Sequence, residues 1–139
     1  MVNKMSDSLE KSLTLIGRFF LSLIFILSAI FQMMDWTATT GYMQSKGMPL
    51  VGFLLLMSII FRLLGGISIL LGYKAKIGAW LLIIFLVPAT FVFHNFWAIE
   101  GMEGQLQFFS FLKNFSIIGG LILVVVLGSG RLSLDNRKQ

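Results

Sequence analysis

His94 is the chain's only histidine and is followed by Asn95; further along, Lys113 is followed by Asn114. An imidazole and an ammonium group can polarise or protonate a carbonyl, and two amides, each with donors and an acceptor, can orient it. Arg62 adds a planar guanidinium fork of the kind that meets a phosphate, a carboxylate or a polarised carbonyl oxygen. Gln32 and Asp35, at the end of the first apolar run, are the remaining polar groups able to complete such a set. Metal chemistry fits poorly. A lone histidine with no carboxylate, thiol or second histidine beside it in sequence is a weak ligand set, and bis-histidine haem within one chain is impossible.

These groups sit in an apolar chain. Of the 139 residues 57% are hydrophobic and 12% charged, the balance of a membrane protein. Four runs are long enough to cross a hydrocarbon core of about 30 Å: 13–34, 50–71, 77–97 and about 108–128. They are continuous rather than alternating and too long for barrel strands, so the expected fold is all-α, a polytopic four-helix bundle. It would occupy 13–128, between an N-terminal segment 1–12 and a C-terminal tail 129–139. The first run is too long for a signal-peptide core and has Asp7 and Glu10 beside its basic residues, so it counts as a span. With no cysteine there is no disulfide, thiolate nucleophile or Cys-held cluster, and any redox chemistry must be borrowed from a partner.

The net charge of +5 follows orientation rather than nucleic acid, because the basic residues flank the spans and form no stripe. Lys4, Lys11, Lys74, Lys76, Arg131, Arg137 and Lys138 fall on one side, expected to be cytoplasmic, which puts both termini inside. Counting helical rise, His94 lies about 5 Å and Lys113 about 8 Å below the outer ends of their spans. Two polar pairs at one depth on consecutive antiparallel helices suggest a pocket, and intramembrane polar residues are functional candidates. A helix running to Trp97 would place Thr90 and Trp97 on the face of His94. Arg62 is deeper, near the midplane, where a charge costs at least about 2.5 kcal/mol. It either snorkels to water or meets an oxygen ligand; Lys113 has the same alternatives, and His94 could equally be an interface residue. Gly65-Gly66 and Gly119-Gly120 read as helix-packing positions, and Pro88 as a kink below His94.

The stretches "GYKAKIGAWLLIIFLVPATFVFHNFWAIEG" and "QFFSFLKNFSIIGGLILVVVLGSGRLSLD" resemble the DoxX family, with Pro-Ala-Thr, His-Asn-Phe-Trp, Lys-Asn and terminal Gly-x-Gly-x-x-Ser-Leu-Asp elements. The likeness runs from about Arg18 to Asp135. It implies a four-helix protein of the bacterial cytoplasmic (inner) membrane. Some family members are linked to membrane oxidoreductase assemblies, among them quinone-reducing thiosulfate oxidation and oxidative-stress complexes. The function it suggests is an accessory or quinone-handling subunit; the alternative is a non-enzymatic lipid-binding or assembly module. A quinone is the cofactor expected, with no metal or covalent group. Membrane lipids, redox subunits and a second copy of the chain are the partners expected, and nucleic acid is not. One position departs from the resemblance: where it implies a glutamate before the glycine pair of the second span, this chain has Arg62, which reverses the charge.

Overall fold

Ser6 starts the first helix. Its Oγ accepts from the Leu9 N–H at 3.3 Å, and Asp7 and Glu10 in the first turn complement the positive end of the helix dipole. In the computed structural model, which describes residues 5–137, α1 therefore spans Asp7–Met34 and begins well before position 13. It is followed by α2 (Trp36–Ser45), α3 (Val51–Leu71), α4 (Ala75–Phe93), a 3-10 turn at Phe96–Ala98, and α5 (Gly101–Leu127). Among the described residues, four helices are long and apolar enough to cross a membrane: α1, α3, α4 extended by its turn, and α5. The all-α four-span architecture expected from the sequence is the one observed. Lys4 and Lys138 lie outside the described residues.

Three further boundaries differ from expectation. The segment after α1 is helical, although "WTATTGYMQS" is rich in β-branched residues. Met43 is buried against the bundle and Tyr42 stacks on Phe93 with ring centroids 5.7 Å apart, so packing overrides weak propensity. Helix α5 starts at Gly101 rather than near 108, because its first turns are polar and hydropathy alone does not register them. Helix α4 stops at Phe93 rather than 97. Pro88 removes one backbone bond, His94 leaves the helical region, and the chain turns through Asn95.

Packing runs α1 on α3, α3 on α4 and α4 on α5. The end that carries the termini is tight: a Cβ added at Gly65 would stand 2.9 Å from the Gly78 carbonyl oxygen. Phe25, Ile69, Ala79, Leu82, Leu86, Ile118 and Leu121 form one apolar cluster, and Ala29, Met43, Leu55 and Ile59 form a second toward the opposite end. Large side chains such as Phe53, Leu123 and Leu127 are left uncovered, as lipid-facing positions require.

The segment after α5 is fixed rather than trailing. Arg131 pairs with Asp7, which brings the two ends of the chain to one end of the bundle. The Asp135 carboxylate accepts from the backbone N–H groups of Lys74 at 2.6 Å and Ala75 at 3.1 Å, capping α4 from the far end of the sequence. Gly130, at φ +70°, allows the turn, and any side chain there would strike Thr14. Arg18 donates to the carbonyls of Leu70, at 3.4 Å, and Leu132, while its Nε has no acceptor among the described residues.

Candidate functional site

Away from the termini the bundle holds a cavity of about 590 Å³ that borders both apolar clusters. Its walls are chiefly aliphatic, aromatic and methionine side chains, with α2 across one end through Thr39, Tyr42 and Met43. The size and lining suit a drug-sized ligand with a few polar anchors.

The deepest polar group is Arg62, only 3% exposed. It lies near the middle of α3, about 17 Å along the helix from Val51. Its Nε donates to the Ser58 carbonyl at 3.1 Å, Nη1 to Ser28 Oγ at 3.1 Å, and Nη2 to Ser58 Oγ at 3.2 Å and to Gln32 Oε1. Ser28 donates its own hydroxyl to the Phe25 carbonyl at 3.2 Å and Ser58 to Leu55 at 2.8 Å, so both turn lone pairs toward the guanidinium. The Phe85 ring covers one face, its centroid 5.0 Å away. Four of the five N–H donors are used, and every acceptor is neutral. No acid lies within any of the four expected spans, and no salt bridge reaches Arg62 among the described residues. The positive charge is solvated but not balanced.

Of the residues singled out in the sequence, the cavity lining brings together Gln32, Arg62, His94, Lys113 and Asn114. Their roles differ from those expected. His94 caps α4, and its Nδ1 lies 2.7 Å from Gln107 Oε1, which ties α4 to the early turns of α5. Asn114 is buried and donates to Thr90 Oγ1 at 3.1 Å; Thr90 in turn donates to the Leu86 carbonyl at 2.6 Å. That amide fastens α5 to α4. Lys113 is exposed at the rim.

Two candidates fall outside the lining. Asn95 accepts from Lys46 Nζ at 3.4 Å in the loop beyond α4. Asp35 is exposed between α1 and α2. Trp97 does not share the face of His94: it sits in the 3-10 turn and packs against Phe91, Phe96 and Phe111. Sequence reading missed Ser28, Ser58 and Phe85. The signal was present, since Ser28 and Gln32, like Ser58 and Arg62, are four residues apart and so share a helix face.

The DoxX family model matches residues 13–95, which include Gln32, Arg62 and His94 and end before α5. Inner membrane protein YphA of Escherichia coli is 31% identical over 125 residues, 90% of this chain and 89% of that one. Inner membrane protein YqjF of the same organism is 31% identical over 127 residues, 91% of this chain and 92% of its own length. The ER-derived vesicles protein ERV29 of Saccharomyces cerevisiae is 32% identical over 82 residues, 59% of this chain but 26% of the yeast protein. No solved structure matches the chain.

Proposed function

The chain belongs to the DoxX family and is a multi-pass inner-membrane protein, and from that premise we propose that it is an accessory subunit of a membrane oxidoreductase that holds a quinone in its cavity. The observation that carries this reading is Arg62: a guanidinium set at mid-depth beside a cavity, surrounded by neutral acceptors, with a donor to spare. A quinone ring is apolar enough to reach that depth, and its carbonyl oxygen accepts a charge-assisted hydrogen bond there. Methionine and aromatic walls match the rest of the ring. Lys113 and His94, toward the α2 end, stand where a ligand proton can exchange with water. Electrons come from a partner subunit, since the chain has no cysteine to carry them.

One observation favours a second reading, a lipid-binding or assembly module. The charge on Arg62 is unbalanced, so an anionic phosphate would be held more strongly than a neutral carbonyl. Depth argues the other way, because a phosphate would have to leave the interface for the hydrocarbon core.

A native mass spectrum from gentle detergent decides between them. A quinone-mass adduct on the wild type that is lost from Arg62→Leu is the expected result. Phospholipid in its place would establish the second reading, and a bare protein would contradict both.

The orientation we infer has both termini in the cytoplasm, since Lys11, Lys74, Lys76, Arg131 and Arg137 gather at the termini end. Because the chain has no cysteine, single cysteines at Ser6, Lys76 and Asn136 should resist an impermeant thiol reagent in intact cells. Cysteines at Thr37 and Glu103 should react; the reverse pattern would invert the topology.

A further inference from the structure

The cavity that holds Arg62 is not closed on all sides. Ile84, Pro88 and Val92 line it from α4 at four-residue spacing, yet they lie on the outside of the bundle: Ile84 is 58% and Val92 38% exposed, and Pro88 is exposed as well. Across from them, Leu54, Met57 and Phe61 of α3 line the same cavity and are half-buried. Toward the termini end these two helices are sealed, because Gly65 and Gly78 bring their backbones together. Away from that seal the space between α3 and α4 opens sideways as a slot. The exposed walls lie within the spans, so the slot faces hydrocarbon rather than water. Its side chains are aliphatic, aromatic, proline and methionine, with no hydrogen-bonding group among them.

We propose that the ligand of this cavity carries a long hydrocarbon chain, which leaves through the α3–α4 slot while its oxygen-bearing head rests against Arg62. The inference rests on the reading of Arg62 as the head-group site and adds the tail, the portal and the source of the ligand. A molecule entering this way comes laterally from the bilayer and never crosses α2. Of the ligands with a carbonyl head, the class that fits is a quinone bearing a polyprenyl chain, not a tail-less water-soluble one. Met57, with its flexible thioether, suits a chain whose conformation varies. The slot supplies affinity through apolar contact along its length, and Arg62 supplies the register.

The test compares ubiquinone-10 with its tail-less ring, 2,3-dimethoxy-5-methyl-1,4-benzoquinone, at equal mole fraction in lipid nanodiscs. Three proteins are measured: the wild type, Arg62→Leu, and the slot-filling pair Ile84→Phe with Val92→Phe. These two side chains face lipid, so the pair should fold, and its melting temperature reports whether it does. A slot-widening pair, Ile84→Ala with Val92→Ala, provides the same comparison should the larger side chains disturb the bundle. The wild type should retain the long-chain quinone at least tenfold better than the ring. The slot-filling pair should lose that preference, its binding of the long-chain quinone falling far more than its binding of the ring, and the widening pair should reduce the preference. Arg62→Leu should lose both ligands. Undiminished binding of the long-chain quinone in both slot pairs overturns the proposal, as does equal loss of chain and ring. Unaltered binding of both ligands in Arg62→Leu would instead overturn the head-group reading on which it rests.

Discussion

Arg18 and Arg62 are covered to the same degree, 4% and 3% exposed, and both project from apolar runs, 13–34 and 50–71, with no acid inside them. What surrounds them differs. Arg18 lies near the termini end, where the last turn of α3 leaves backbone carbonyls without helical donors; it takes Leu70 and reaches Leu132 of the closing segment. Arg62 lies mid-helix, where backbone carbonyls are already engaged. Apart from the Ser58 carbonyl it recruits side chains, those of Ser28, Ser58 and Gln32, from two helices. A cation at a helix end can close the fold with orphan backbone groups. A cation at mid-span needs a purpose-built set of neutral oxygens, and it keeps an unbalanced charge beside open space.

Removing each arginine should separate these roles. Arg18→Leu leaves the Leu70 and Leu132 carbonyls without their donor and should cost up to about 3 kcal/mol, read as a fall in melting temperature in detergent. Arg62→Leu removes a charge that is expensive at depth and should keep or raise that temperature. Equal destabilisation by both would erase the distinction.

The contrast between sealed and open halves can be sharpened at Gly65. Gly65→Ala places a Cβ 2.5 Å from Leu82 Cγ and 2.9 Å from the Gly78 carbonyl oxygen, and overpacking of this kind should cost about 2 kcal/mol. Gly119→Ala, where an added Cβ meets nothing within 4 Å, should be neutral in the same melting assay.

Asp135→Ala should cost about 1 kcal/mol, as loss of a helix cap does, and should hasten hydrogen exchange at Lys74 and Ala75 while leaving ligand binding alone. A smaller loss is expected at Asn114→Leu, about 0.5 kcal/mol for one neutral hydrogen bond. A loss there of several times that size, together with loss of ligand, would return Asn114 to the site as an orienting amide.

The sequence and the structure agree most where the signal is continuous. Unbroken apolar runs define the four spans, and a charge inside such a run marks Arg62; Gln32, grouped by sequence with the polar pairs at the outer end, instead accepts from Arg62. Gln32, Arg62, His94, Lys113 and Asn114 border one cavity, but the direction of each side chain is not legible in the sequence. Asn95 and Asp35 follow His94 and Gln32 closely in sequence, yet α4 ends at Phe93 and α1 at Met34, so both lie past their helix ends and outside the cavity lining. Asn114 borders the cavity but donates to Thr90, a pairing between two helices that no local pattern records. The closing segment was hardest to read. Arg18 meets Leu132 through a backbone carbonyl, which any residue would supply, and only the terminal Gly-x-Gly-x-x-Ser-Leu-Asp element hinted that 129–137 has a fixed shape.

The central claim is that Arg62 is retained for a ligand rather than for the fold. Its most direct test is a titration of ubiquinone-10 into nanodisc-embedded wild type and Arg62→Leu, with the melting temperature of each ligand-free protein recorded alongside. The account predicts at least about a tenfold rise in Kd for the variant, the loss of one charge-assisted hydrogen bond, with no fall in melting temperature. An unchanged Kd accompanied by a lower melting temperature would make Arg62 a structural arginine like Arg18 and contradict it.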